Sequence, residues 1–269
     1  MGISLTHFCY IELLDPDFKT HKFLITLYNG NTEYVEKEKI MKDECLICGE
    51  PLEYLSSDIL LECGLCHKKE KGNTVCIKGH YVCNDCHTQG MDSIIGLCLK
   101  EQSKDPIEIL EKMMALPFCH MHGPEHHVMV GSALLTAYKN SGGELDLHKA
   151  LSEMQSRGKK VPGGACGYWG ACGAGISAGM FMSIVTNSTP LKKEPWGLSN
   201  MMTAAALEAI GKLGGPRCCK RNSYTAIIEA AAFVKERFGV EMQLDPSRIK
   251  CTRSLQNNQC KKKDCPFYK

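Results

Sequence analysis

Long apolar runs are missing from this sequence. No window of about 18 unbroken apolar residues occurs, so no membrane-spanning helix is expected. A dominant charge is missing too. Lys and Arg number 32 against 30 Asp and Glu, a net +2. That balance gives no electrostatic argument for nucleic acid or a membrane surface as partner. The opening MGISLTHFCYIELLDPDF lacks a basic start, an apolar core and a small-residue cleavage site, so no secretory signal peptide is expected. MGISLT matches a myristoylation pattern only superficially. Internal repeats are absent. Otherwise the composition is ordinary for a globular chain, and 269 residues suffice for one large domain or two to three small ones.

Cysteine is what the sequence has in excess, with 17 residues. Disulfide scaffolds are usually shorter, exported chains. In a reducing compartment, clustered cysteines more often bind metal. A cytoplasmic, metal-rich protein is therefore expected.

Three regions follow from the pattern. Residues 1–42 carry the strand-like runs HFCYIELL and HKFLITLY, and the NGN at 30–32 is a turn signal, so an N-terminal β-hairpin region is expected. Residues 43–90 are rich in cysteine pairs and poor in apolar material. Residues 91–269 read as helical. DPIEILEKMMAL opens with Asp-Pro, a good helix entry. PEHHVMVGSALLTAYKNSGG, LSNMMTAAALEAIGKLGG and NSYTAIIEAAAFVKERFG each stop at glycine. The expected fold class is α+β: a mainly α-helical C-terminal domain, a small zinc-stapled lobe and an N-terminal β-hairpin.

The lobe carries Cys45, Cys48, Cys63, Cys66, Cys76, His80, Cys83 and Cys86. A Cys-x2-Cys turn sets two thiolates on one side of a tetrahedral ion. Eight ligands make two zinc ions possible. A cross-braced wiring joins Cys45 and Cys48 to Cys76 and His80, and Cys63 and Cys66 to Cys83 and Cys86. A sequential wiring joins neighbouring pairs. Spacing does not choose between them. The series resembles RING-type ubiquitin ligases, but the rest of the chain does not suit that role.

A second cysteine-bearing stretch is GGACGYWGACGAG at 163–175. No Lys-Ser/Thr follows it, so a phosphate loop is excluded. Thiolates among glycines suit an iron–sulfur cluster, whose sulfurs accept from close backbone amides. Gly170, Gly173 and Gly175 are expected to clear that approach. The tail CTRSLQNNQCKKKDC adds Cys251, Cys260 and Cys265, a spacing that suits a cubane.

Cys172 in WGACGAGISAGMFMSI and Cys218 in CCKRNSYTAIIEAA, with Arg221 and Asn222 in register, resemble the cluster stretches of iron–sulfur L-serine dehydratase α-domains and L-cysteine desulfidases. CHMHGPEHHVMVGSALLTAY is similar, more loosely, to the desulfidases' substrate-holding helix start. The resemblance covers about residues 119–240. The chain as a whole also resembles a cysteine-rich family of anaerobes without an assigned function. The dehydratases have a third cluster cysteine where this chain has Leu207, so the third ligand would come from Cys166, Cys219, Cys119 or the tail. The resemblance implies a lyase or sulfur-handling enzyme acting on a small amino-acid-like substrate, of dehydratase or desulfidase type, through a 4Fe–4S cluster. Its ligands would be Cys172 and Cys218 sharing one cluster, with Cys166, Cys219, Cys251, Cys260 and Cys265 as further candidates.

His120, His122, His126 and His127 crowd one stretch with Glu125. Histidine titrates near neutrality and can shuttle protons or bind metal. His122, His126 and Glu125 are the expected catalytic residues, with the amides of Glu125 to His127 holding a substrate carboxylate. Other classes stay open: a zinc-stabilised binding protein, a redox or metal sensor, or a carrier of clusters or sulfur. The expected partner is a small molecule, with no membrane and no nucleic acid, and a homo-oligomer is open.

Overall fold

The computed structural model describes residues 45–269, apart from 49, 88–89 and 117. The hairpin expected over 1–42 lies outside the described residues. The described residues belong to one compact unit. Their fold is α+β and mainly helical, as the sequence implies.

Strands β1 (Leu52–Glu62) and β2 (Lys69–Cys76) form an antiparallel pair. Leu52 faces Cys76, Glu62 faces Lys69, and a register shift falls between Tyr54 and Ile59. The loop between the strands is the Cys63–Cys66 turn, closed by the Cys63 N–H on the Lys68 carbonyl at 2.9 Å. The lobe has almost no apolar core. Its buried nonpolar side chains among the described residues are Cys45, Cys63, Cys76 and Cys83, and the main core cluster begins only at Met91.

Helices α1 (Asn84–His87), α2 (Asp92–Lys100), α3 (Pro106–Met114), α4 (His126–Asn140), α5 (Leu147–Gly158), α6 (Ala165–Tyr168), α7 (Gly173–Val185), α8 (Lys193–Leu213) and α9 (Cys219–Phe238) follow. Twelve of the 15 residues of α4 are buried. It is the central helix, packed by α3, α5, α7 and α9. Small residues let its neighbours close in. A Cβ on Gly179 of α7 would lie 1.8 Å from the Thr203 hydroxyl of α8, and one on Gly175 2.7 Å from Leu207. Gly175 therefore serves helix packing, not the approach to a cluster expected above. Gly170 has open space around it and a φ of +63°, so it shapes a turn.

The caps match the sequence reading. Asp105 accepts from the Ile107 and Glu108 amides, with Pro106 at the first helical position. Asp105→Ala should lower stability by about 1 kcal/mol, read by urea titration of the full chain. Gly239 ends α9 in the left-handed region, at φ +66°.

The tail packs back on the body. Phe267 is buried against Tyr224 of α9, ring edge to face at 5.2 Å. The Cys251 N–H donates to the Phe267 carbonyl at 2.7 Å. Cys251, Cys260 and Cys265 are thereby held beside the N-terminus of α9. No helix among the described residues is long and apolar enough to cross a membrane.

Candidate functional site

The lobe ligands close into two groups: Cys45, Cys48, Cys76 and His80, then Cys63, Cys66, Cys83 and Cys86. Within each group the ligand atoms lie within 4.8 Å of one another, so each can hold a metal ion. The Cys48 and Cys76 sulfurs are 3.6 Å apart, as are those of Cys66 and Cys83. His80 presents Nδ1, 3.2 Å from the Cys48 sulfur. The wiring is cross-braced. Strand register explains it: Cys76 ends β2 opposite the start of β1, beside the Cys45–Cys48 turn, while Cys63 sits at the hairpin tip. Residues 77–83 then return the chain to that tip, where the Gly64 N–H meets the Tyr81 carbonyl at 2.8 Å. Each turn aims amides at sulfur, as in Ile47 to Cys45, Lys78 to Cys76 and Cys86 to Cys83. Burial pushes the Cys63 thiol up, but the amides of Cys83, Cys66 and Leu65 outweigh it and hold its pKa at about 6. Such a thiol is ready to ligate.

The remaining candidate cysteines divide into two sets. Cys218, Cys251, Cys260 and Cys265 line one small cavity, walled also by Arg221, Arg253 and Lys261. Backbone N–H groups approach three of these sulfurs: Arg221 on Cys218 at 3.5 Å, Arg253 on Cys251 at 3.4 Å, and Lys262 on Cys260 at 3.3 Å. Arg221 is buried and donates to the Gly214 and Pro216 carbonyls at 2.8 and 3.0 Å. It thus fixes the loop that delivers Cys218. The four thiols are not among the groups that close within 4.8 Å, so they stand wider than the ligands of a single ion.

Cys166 and Cys219 line a different and larger cleft of about 600 Å³, between the lobe and the helical body. Cys172 keeps their company. Its sulfur accepts from Asn222 Nδ2 at 3.3 Å, and it raises the pKa of both Cys166 and Cys219 beyond what burial, the larger cause, does. Cys172 lines neither cavity and Cys218 lines only the tail cavity, so no cavity joins the two residues expected to share one cluster. Leu207, at the place of the dehydratases' third cysteine, packs against Gly175.

The histidines separate as well. α4 begins at His126, so His126 and His127 diverge from its first turn. His127 and His122 line the cleft, and His126 does not. His126 is 2% exposed, and its Nδ1 donates to the Gly123 carbonyl at 3.0 Å. Its Nε2 then accepts from Lys220 Nζ at 2.9 Å. Burial, with Lys220 second, pushes the His126 pKa down to about 3. Both ring nitrogens of His126 are thus engaged within the protein, and the residue does not reach the cleft. Glu125 is also buried, and its Oε1 accepts from the His120 N–H at 2.9 Å. Its Oε2 lies 3.6 Å from His87 Nδ1. Burial raises the Glu125 pKa, but His87 and His126 outweigh it and hold it at about 2. The His126 and His127 amides donate to the Gly123 and Pro124 carbonyls, so the expected carboxylate-holding role passes out of these two amides.

Two residues were not legible beforehand. Lys220 is 1% exposed and spends its three protons on Cys119 Sγ (3.0 Å), the His120 carbonyl (2.8 Å) and His126. Cys119, Glu125 and His126 could hold a metal ion by spacing, but this ammonium contacts two of the three. Asn257 of the tail lines both cavities. It donates to the Cys218 sulfur at 3.6 Å, and its Oδ1 accepts from His122 Nε2 at 3.3 Å. No sequence pattern marks either residue.

A family model described as "Family of unknown function (DUF5714)" matches residues 94–268. That span holds the tail and cleft cysteines and none of the lobe ligands. No match was found among curated proteins or among solved structures.

Proposed function

We propose, for a chain that belongs to the DUF5714 family, the role of an iron–sulfur redox protein braced by two structural zinc ions. The zinc assignment follows from the lobe's donor sets, three thiols with one imidazole and four thiols, which suit closed tetrahedral sites. The cluster assignment rests on one observation. Four cysteines from two separate segments, Cys218 and the tail, line one cavity, with backbone amides on three of their sulfurs and three cations in the same wall. A 4Fe–4S cubane spreads its ligand sulfurs wider than one ion does, and its charge is eased by such donors. Arg221, Arg253 and Lys261 would offset the negative charge of a thiolate-bound cluster.

The ligand count favours electron carriage. Four thiolates leave no iron open to a substrate, so this cluster would pass one electron at a time. The dehydratase or desulfidase reading needs an open iron, which this set does not supply. Asn257, between Cys218 and His122, connects the cluster to the cleft.

The full chain, purified without oxygen and supplied with ferrous iron and sulfide, should absorb broadly near about 400 nm and bleach on reduction. Cys251→Ser with Cys265→Ser should lose one cubane's worth of iron and sulfide and keep two zinc ions. A double variant that retained all its iron would remove the reading.

A further inference from the structure

The near-neutral charge of the chain is unevenly spread. Residues 248–269 hold seven Lys and Arg against one acid, Asp264. Their side chains carry a net +6, which leaves −4 on the rest of the chain. The same segment supplies three of the four thiols on the tail cavity, Cys251, Cys260 and Cys265.

The cations divide by where they point. Arg253 and Lys261 turn inward. Arg253 pairs with Glu111 at 3.4 Å, and Lys261 Nζ donates to the Leu213 carbonyl at 2.6 Å. Lys262 and Lys263 are exposed. Backbone contacts hold them beside the thiols. The Lys262 N–H donates to the Cys260 sulfur at 3.3 Å, and its carbonyl accepts from the Cys265 N–H at 2.8 Å. Apolar surface accompanies this charge. Leu255 is 97% exposed, and it follows Ser254, a residue of the cavity wall. Tyr268, on the same wall, is 38% exposed, so the wall reaches the surface. Cys251, Cys260 and Cys265 are themselves only partly covered.

We propose that this face, with Lys262, Lys263 and Leu255 at its contact edge, docks an acidic protein that exchanges single electrons with the tail cluster. The proposal rests on the tail-cluster reading. One electron leaves the reduced cluster and reduces the partner's one-electron centre; no bond breaks and no proton moves. Such an exchange needs close approach to the cluster but no lasting complex, and redox encounters accordingly use small interfaces. Opposite charge steers them and raises association rates by about 10- to 1,000-fold at low salt. The inward cations already face the cavity, so the charge on Lys262 and Lys263 is left for a partner. A nucleic acid would be tracked by an extended basic groove with stacking aromatics. Here the charge is gathered instead on the loops that carry the thiols.

The test uses the full chain, loaded anaerobically with ferrous iron and sulfide and then reduced. It is mixed with two protein oxidants of opposite charge, acidic plastocyanin and basic cytochrome c. Plastocyanin should oxidise the cluster faster as salt falls from about 500 to about 20 mM, because screening is relieved. Cytochrome c should show the opposite trend. Lys262→Glu with Lys263→Glu should slow plastocyanin about tenfold at low salt, speed cytochrome c, and leave iron and sulfide content unchanged. Lys159→Glu with Lys160→Glu makes the same charge change at exposed positions just past α5. It should alter neither rate by more than about twofold. A chain that takes up no cluster overturns the tail-cluster reading and this proposal together. A cluster whose oxidation ignores the tail substitutions, or responds equally to the α5 pair, overturns the docking face alone. So does binding of a mixed-sequence DNA oligonucleotide at physiological salt that the tail substitutions abolish, since the face would then serve nucleic acid.

Discussion

Stripping metal from the lobe should melt residues 45–87 and leave helices α2–α9 standing. The lobe has nothing else to fold around. Among the described residues, its buried nonpolar side chains are the candidate ligands Cys45, Cys63, Cys76 and Cys83, and none of them joins the apolar core. The β1–β2 ladder has Ile59 and Leu60 exposed, Leu60 to 69%. A two-stranded sheet of this kind is marginal in water on its own. Structural zinc supplies about 10–16 kcal/mol of apparent binding energy, which is folding energy where no preformed core exists. Hydrogen exchange in excess chelator should show the ladder amides losing protection while those of α4 keep theirs. Cys63→Ala should do the same without chelator. Cys98→Ala, a core substitution, should leave lobe protection intact and cost only the energy of a small cavity, about 1 kcal/mol. Ladder protection that survived chelation would show that the lobe folds without metal.

What could be read from the sequence follows the range of each interaction. The Cys-x2-Cys turns are local, so the eight lobe ligands were legible. Their cross-braced wiring depends on β1–β2 register, which spacing does not encode. Helix ends were legible at Asp105-Pro106 and at Gly239, because a cap is decided by one or two residues. The partition of the thiols was not. Cys218 and Cys219 are adjacent in sequence, but Cys218 is the extended N-cap of α9 and Cys219 its first helical residue, so their side chains leave in different directions. One meets the tail and the other the cleft. His126 and His127 are separated by the rotation of about 100° per residue within α4. The glycines of 163–175 misled for another reason. Room for a cofactor and room for a neighbouring helix leave the same trace in a sequence, and only packing shows that Gly175 makes way for Leu207. Lys220 left no trace at all, since a lysine is rarely buried and the acceptors that hold it come from a stretch a hundred residues away.

Replacing Lys220 by methionine should cost about 3 kcal/mol at neutral pH and also flatten the acid response of the fold. The first effect comes from buried acceptors. Cys119 Sγ, the His120 carbonyl and His126 Nε2 would lose their donor in an interior that offers no water. The network also ties α9 to the start of α4, so Cys218 and Cys219 would lose their positioning. The second effect follows from protonation. The folded-state pKa of His126 is about 3, depressed by burial first and by the Lys220 ammonium second. Its ordinary value is 6.5. Between those values the unfolded chain binds a proton that the folded chain refuses, so stability falls as pH falls from about 6.5 toward 3. Glu125, held near 2 against an ordinary 4.5, adds a further loss below about 4.5. Without the ammonium, burial still depresses the His126 pKa, but the total depression is smaller, with Glu125 3.5 Å away to favour the proton. The proton-uptake difference then shrinks, and so does the slope. Urea titrations of the wild type and Lys220→Met at several pH values between 4.5 and 7 should show a less stable variant with a shallower dependence. Acid release of metal held by the lobe would act on both proteins alike and cancel in the comparison. Equal slopes would mean that Lys220 fills space beside His126 without governing its charge.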